Sequence, residues 1–171
     1  MATDDDQDAD FITRTRAKWQ AAMPQLDTSP MELLGRINRI SAQSVTQLER
    51  VLEPSGVSRS EFDVLCALAR GGRPLRASEV TSSTMLSGAA TTKLTARLES
   101  AGLIERNRLE RDARVVLLSL TDDGRELVET QLPVCLDQDR HLLDGVDDAD
   151  QETLARILRT VSANAERAVR E

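Results

Sequence analysis

Apolar residues recur every three or four positions along most of the chain, a spacing that predicts a largely helical protein. The pattern predicts helices at about 8–23, 31–52, 58–70, 76–82, 87–101, from 121 onward, and at 148–169. Ser58 followed by Glu61 has the spacing of a capping box and predicts a helix start. Thr121 is expected to cap the next-to-last helix, and Pro133 predicts a bend within it.

Only two segments have the pattern of strands. Residues 103–109 alternate between polar and apolar positions, and residues 114–120 read "RVVLLSL". The intervening "ERDA", residues 110–113, predicts the tip of a hairpin. A helix, a short helix, a turn, a helix and a hairpin follow one another in the order of a winged helix-turn-helix.

The helix over 87–101 has one face of small or hydroxylated residues. At about 100° per residue, the expected inward residues are Ala90, Leu94, Leu98 and Ala101. The expected outward residues are Gly88, Ala89, Thr92, Thr95, Ala96 and Glu99. A helix enters the major groove of DNA closely only when its leading residues are not bulky, and hydroxyls bond phosphates or base edges. The pattern therefore favours DNA contact over an ordinary surface helix.

Charge is unevenly distributed along the chain. The 171 residues include 22 bases and 29 acids, but the span from Arg73 to Arg114 holds eight bases against five acids. An acidic protein with one basic segment is typical of a polyanion-binding surface, although a solvated helix face gives the same local count.

The composition disfavours several other classes. One His and two Cys give no metal-ligand cluster, and no cofactor or catalytic motif is present, so we expect neither a metal site nor an enzyme. No apolar run reaches membrane-spanning length and no basic, apolar leader is present, so we expect a cytoplasmic protein without a membrane partner. Cys66 and Cys135 leave a thiol-based redox sensor as an alternative, although both have apolar neighbours.

Several motifs of this chain resemble those of the MarR family of dimeric bacterial transcription factors. They are "TKLTARLESAGLIER", the segment "ERDAR" and "LTDDGREL", within a resemblance that covers about Met31 to Arg167. The resemblance implies a mainly α fold with a small β-hairpin wing, in which N- and C-terminal helices join two subunits. It also implies a recognition helix in the major groove and a wing in the minor groove, with Asp112 orienting Arg114. The DNA-binding candidates are Ser87, Ala89, Thr91, Thr92, Lys93, Arg108, Arg111, Asp112 and Arg114.

The chain ends have a narrower resemblance, to the urate- and trans-aconitate-responsive branch of that family. It lies in an extra N-terminal helix with "TRAKW", in "SPM", in "EFDVL" and in the "LP" at Leu132-Pro133. The branch implies an anionic ligand among Trp19, Asp63, Lys93 and Arg106. Lys93 replaces the usual Arg, which favours a more flexible carboxylate or weaker urate binding. Each residue also has a simpler explanation: core or dimer packing for Trp19, exposure or an ion pair for Asp63, and phosphate contact for the two bases.

These observations predict four regions: a disordered acidic tail (1–10), helices for dimerisation and ligand cover (11–56), a winged helix-turn-helix (57–122) and C-terminal dimerisation helices (123–171). The predicted function is a homodimeric regulator, a repressor that binds a pseudo-palindromic duplex and is released by a small organic anion. A winged-helix module that binds another protein, without binding DNA, is the alternative from a different class.

Overall fold

The computed structural model describes residues 9–109 and 112–169, with the side chains of residues 108, 109 and 112–114 outside that description. The helices are α1 (Phe11–Ala22), α2 (Pro30–Leu52), α3 (Arg59–Gly71), α4 (Ala77–Ser83), α5 (Gly88–Ser100), α6 (Asp122–His141) and α7 (Asp148–Ala168). The strands are β1 (Leu75–Arg76), β2 (Ile104–Leu109) and β3 (Asp112–Leu120), and a short 3₁₀ turn (Glu53–Ser55) follows α2. Each predicted helix is present, with its ends displaced by a few residues at most.

Helix α3 is the centre of the hydrophobic core. Its buried residues include Phe62, Val64 and Leu65, and it packs against α2, α5 and α6. The predicted capping box is present: the Glu61 backbone N–H donates to the Ser58 hydroxyl, and the Ser58 backbone N–H donates to the Glu61 carboxylate. A glycine at 72, with φ of 62°, ends the helix in the left-handed conformation that residues with a Cβ rarely adopt. Local sequence signals thus set both ends of α3.

A three-stranded antiparallel sheet in the order β1-β3-β2 lies beside this core. Residues Leu75 and Arg106 both pair with Leu118, which is buried between them. The hairpin was predicted correctly, but β3 begins at Asp112 rather than at 114. Strand β1 was not predicted, because two residues are too few to show an alternating pattern.

Helix α1 is attached to α2 by charged side chains. Arg36 on α2 binds the carboxylate of Asp10, the N-cap of α1, and the hydroxyl of Thr13. Arg36 also pairs with Glu32, and the guanidinium of Arg39 lies 4.4 Å from the centre of the Phe11 ring. The helix containing Trp19 therefore has a defined position on α2.

The first two and the last two helices expose a large apolar surface. Helix α7 contributes no buried residue. The exposed apolar side chains of these helices include Phe11, Trp19, Leu33, Leu34, Ile37, Ile40, Leu132, Val134, Leu136, Leu154, Ile157 and Leu158. Because a stable helix in water buries its apolar stripe, this surface lacks its cover in the single subunit.

Candidate nucleic-acid interface

Helix α5 presents a different face from the one predicted. Thr91 and Thr95, at 0% and 1% exposure, are buried together with Leu98. The prediction that Thr95 faces outward is therefore wrong, and so is the prediction that the Thr91 side chain is available for DNA. The outer face of α5 consists of Ala89, Thr92, Lys93, Ala96, Arg97 and Ser100, all of which are exposed.

Hydrogen bonds explain why the two threonines are buried. The Thr91 hydroxyl donates to the Ser87 carbonyl at 3.1 Å, and the Thr81 hydroxyl on α4 lies 2.9 Å from the Thr91 oxygen. The Thr95 hydroxyl donates to the carbonyl of Thr92 at 3.1 Å. A buried hydroxyl with such partners avoids most of the cost of desolvation, so threonine here joins the two helices of the helix-turn-helix.

The N-terminal end of α5 combines small residues with a base. The Ser87 hydroxyl caps the helix by accepting from the Ala90 backbone N–H at 3.2 Å. Gly88 has open space where a Cβ would lie. The Thr92 hydroxyl donates to the Gly88 carbonyl at 2.9 Å, and its oxygen keeps a free lone pair. With Ala89 and Lys93 beside them, these residues form a surface that allows close approach to a phosphate backbone.

Arg106 joins the wing to α5. Its Nε lies 2.7 Å from Oε2 of Glu99, and its Nη2 donates to the Thr95 hydroxyl at 3.0 Å. On the opposite face of β2, the carboxylate of Glu105 accepts from Ser119 on β3. The root of the wing is therefore fixed both to the helix and to the neighbouring strand.

The predictions for the wing tip lie beyond what the structure describes. Arg111, and the side chains of Arg108, Asp112 and Arg114, fall outside the described part of the chain. Their roles stay predictions based on sequence.

The four residues predicted to surround an anion are not joined to one another by any hydrogen bond or ion pair in the described part of the chain. Asp63 pairs with Arg59 at 3.0 Å, whereas Arg106 pairs with Glu99. Trp19 is 44% exposed on α1, and Lys93 lies on the outer face of α5. An anion that binds Arg106 must therefore compete with a carboxylate already in place.

The two cysteines are buried on facing helices, Cys66 on α3 and Cys135 on α6. Burial raises the pKa of Cys66 to about 11 and also raises the pKa of Cys135. Since the thiolate is the reactive form, both thiols are in a state unsuited to rapid oxidation at neutral pH.

The ion pair between Arg97 and Glu61 was not predicted. Arg97, on the outer face of α5, lies 2.9 Å from Oε1 of Glu61, whose side chain is 1% exposed. The sequence suggested a capping role for Glu61 but gave no signal for this pair, because 36 residues separate the partners.

Neither a membrane span nor a metal cluster is found within residues 9–109 and 112–169. No helix there combines the length and apolar character needed to cross a bilayer. No group of three or more His, Cys, Asp or Glu residues in these ranges is placed to hold a metal ion.

Comparison with known proteins identifies the architecture. Residues 55–115 match the MarR family model. The chain is 30% identical to the HTH-type transcriptional regulator PecS of Dickeya dadantii over 146 residues, which cover 84% of this chain and 88% of PecS.

Among the solved structures that share the fold are those of two bacterial regulators. One is BpsR of Bordetella bronchiseptica, from work on the regulation of its DNA binding by 6-hydroxynicotinic acid (TM-score 0.68, 26% identity, 76% of this chain and 92% of that one). The other is a cysteine-to-serine mutant of MarR from E. coli in complex with operator DNA (TM-score 0.68, 26% identity, 84% and 96%). The protein belongs to the MarR family of DNA-binding transcriptional regulators.

Proposed function

We propose that this protein is a homodimeric repressor that binds a pseudo-palindromic operator, with one α5 in each of two major grooves. The observation that carries the proposal is the outer face of α5, where small residues precede two bases, beside a wing root fixed by Arg106. Ser87, Ala89, Thr92 and Lys93 would approach the bases and phosphates. The buried Thr91 is no longer among the contacts.

A second copy of the chain is the cover we propose for the exposed apolar surface. With α7 burying nothing in its own subunit, two copies that exchange the faces of α1, α2, α6 and α7 would each gain a core. Two-fold symmetry would place the recognition helices about one DNA turn apart. Ile157→Asp on α7 should dissociate the dimer in sedimentation experiments, with the exposed polar position Arg159→Asp as the matched control. A wild-type monomer at micromolar concentration would contradict the proposal.

The wing is proposed to place Arg114 in the minor groove, with Asp112 orienting it and Arg108 and Arg111 beside it. A narrow minor groove concentrates negative potential and attracts an inserted Arg. Arg114→Ala should therefore weaken operator binding by roughly tenfold while the protein keeps its melting temperature. Asp112→Ala should have a smaller effect of the same kind. Coinciding footprints of Arg114→Ala and the unmodified protein, at equal salt, would refute this role.

Release by a small organic anion is the mechanism we propose. The regulation of BpsR by 6-hydroxynicotinic acid, a carboxylate at neutral pH, supports a ligand of this class. Lys93 and Arg106 lie on the DNA-reading elements, whereas Trp19 and Asp63 belong to the helices that support them. An anion bound between the two groups would favour one orientation of α5 and the wing, and only such a difference in affinity shifts the binding equilibrium.

The test is a titration of urate, trans-aconitate, citrate and 6-hydroxynicotinate into the protein–operator complex, followed by the fluorescence of Trp19. Release that persists when Cys66 and Cys135 are both changed to Ser, but is lost in Arg106→Ala, would support the pocket. If peroxide alone released the protein from DNA, and the double Ser variant abolished that release, the effector would be a redox signal rather than an anion.

A further inference from the structure

The carboxylate of Glu61 is buried in an unusual way. One oxygen, Oε2, accepts from the backbone N–H of Ser58 at 2.8 Å and lies 2.9 Å from its hydroxyl. The other oxygen, Oε1, is fully buried and accepts no hydrogen bond from the described part of the chain. A buried charge without compensation is costly, so the group that neutralises Oε1 must matter to the structure around it.

That group is Arg97. Its Nε lies 2.9 Å from Oε1, close enough for an ion pair, although no N–H of Arg97 points at the oxygen well enough to count as a hydrogen bond. The Arg97 side chain is nevertheless 68% exposed. The attraction holds one edge of the guanidinium against α3, and the rest of the group stays in solvent.

The position of Arg97 on α5 relates this pair to DNA. Arg97 follows Lys93 by four residues, so the two bases are neighbours on the outer face of the helix. The ion pair with Glu61 is made through Nε, and the Arg97 side chain is 68% exposed. A guanidinium presents a planar fork of donors that matches the oxygens of a phosphate. The exposed edge of Arg97 is thus available to a DNA strand beside the recognition helix.

We propose that Arg97 binds a DNA backbone phosphate and that Glu61 is the positioning residue that holds Arg97 ready for it. The inference rests on α5 being the recognition helix of the proposed function. An arginine free in solution loses rotamer entropy when it binds a phosphate, whereas one already tethered by a carboxylate loses less. Glu61 is itself fixed by the capping box of α3, so the phosphate contact is held by the central helix of the core.

The experiment compares two variants in which position 61 is neutral, Glu61→Gln and the double variant Glu61→Gln/Arg97→Gln. Neither variant leaves a buried charge without its partner, and the Gln oxygen still accepts from Ser58, so both are expected to fold. The probe is a duplex selected from a random-sequence pool by the unmodified protein. Binding is measured over a range of salt concentrations for each variant, and thermal unfolding is measured beside it.

Each phosphate contact contributes roughly 0.9 to the slope of log K against log salt. The double variant should therefore have a slope lower by about 1.8 per dimer than Glu61→Gln. Glu61→Gln should keep the slope of the unmodified protein but bind roughly two- to tenfold more weakly, since Arg97 loses its tether. Arg140→Gln is the matched control, because it removes one exposed base near the end of α6, about 27 Å along that helix from its first residue. It should leave the slope unchanged.

Equal slopes for Glu61→Gln and the double variant would overturn the phosphate contact. Unchanged affinity in Glu61→Gln would overturn the positioning role. A loss of affinity accompanied by a lower melting temperature would also overturn it, because the effect would then come from the fold rather than from the tether on Arg97. If the unmodified protein selected no duplex, the DNA-binding function itself would fail, an outcome distinct from a failure confined to Arg97.

Discussion

The substitution Gly124→Ala tests how closely α6 packs against the wing. A Cβ at this buried position in the first turn of α6 would lie 2.0 Å from the backbone oxygen of Leu103. That oxygen also accepts from the backbone N–H of Thr121, and the Thr121 hydroxyl donates to the Gly102 carbonyl at 2.7 Å. Backbone atoms held on both sides cannot rotate away as a side chain would. Relieving the overlap requires a displacement of roughly 1 Å or more.

The magnitude follows from two opposing terms. Overpacking of this kind costs about 1–3 kcal/mol, and the greater helix propensity of Ala offsets up to about 1 kcal/mol. With the largest overpacking cost and the full offset, the net loss is about 2 kcal/mol, which lowers the melting temperature of a chain of this size by about 4–8 °C. Since residue 103 directly precedes β2, the same displacement should move the wing and weaken operator binding.

The assay is thermal unfolding at one fixed protein concentration, because the stability of a dimer depends on concentration. Gly88→Ala is the matched control: a Cβ there meets no atom within 4 Å, and the backbone is compatible with Ala. It should melt at the same temperature as the unmodified protein or slightly above it. Were Gly124→Ala to melt as high as Gly88→Ala, the close approach of α6 to residue 103 could not be a constraint on the fold.

Two further predictions concern titratable groups. Burial raises the pKa of Cys66 to about 11 and also raises the pKa of Cys135, so both thiols should be protonated at neutral pH. Iodoacetamide should therefore label neither cysteine until guanidinium unfolds the protein. Rapid labelling of the folded protein would contradict this prediction. The backbone N–H of Thr13, together with Arg36, lowers the pKa of Asp10 below its ordinary value of 3.8. The Asp10 carboxylate therefore stabilises the attachment of α1 fully above pH 3.8, and this stabilisation is lost as the pH falls through the lowered pKa. Trp19 fluorescence should show this transition in the unmodified protein but not in Asp10→Asn, and identical acid profiles would exclude the role.

Features encoded by neighbouring residues could be predicted from the sequence. The capping box of Ser58 and Glu61 and the hairpin of β2 and β3 depend on spacings of a few residues, and both are present. Membership of the MarR family likewise confirms a transcriptional regulator that binds DNA, rather than an enzyme or a module that only binds proteins.

Which residues of α5 face the core could not be predicted, because threonine is compatible with either the buried or the exposed face of a helix. Periodicity treats Thr91 and Thr95 as polar, but their hydroxyls have partners inside the protein. The ion pair of Glu61 and Arg97, and that of Arg106 and Glu99, depend on how α5 lies against α3 and β2. Such contacts follow from the packing of one element against another, which the spacing of residues within a single element does not show.

The attachment of Arg106 to Thr95 and Glu99 has a consequence for how operator preference can evolve. The bonds that keep the wing in place come from side chains other than the exposed Ala89, Thr92 and Ala96. On the proposed docking of α5 in the major groove, substitutions at those three positions would change which bases are favoured without altering the spacing between α5 and the wing. On that proposal, evolution or protein engineering would redirect the protein to new operators by changing a few residues of α5, while the contacts that hold the wing stay the same.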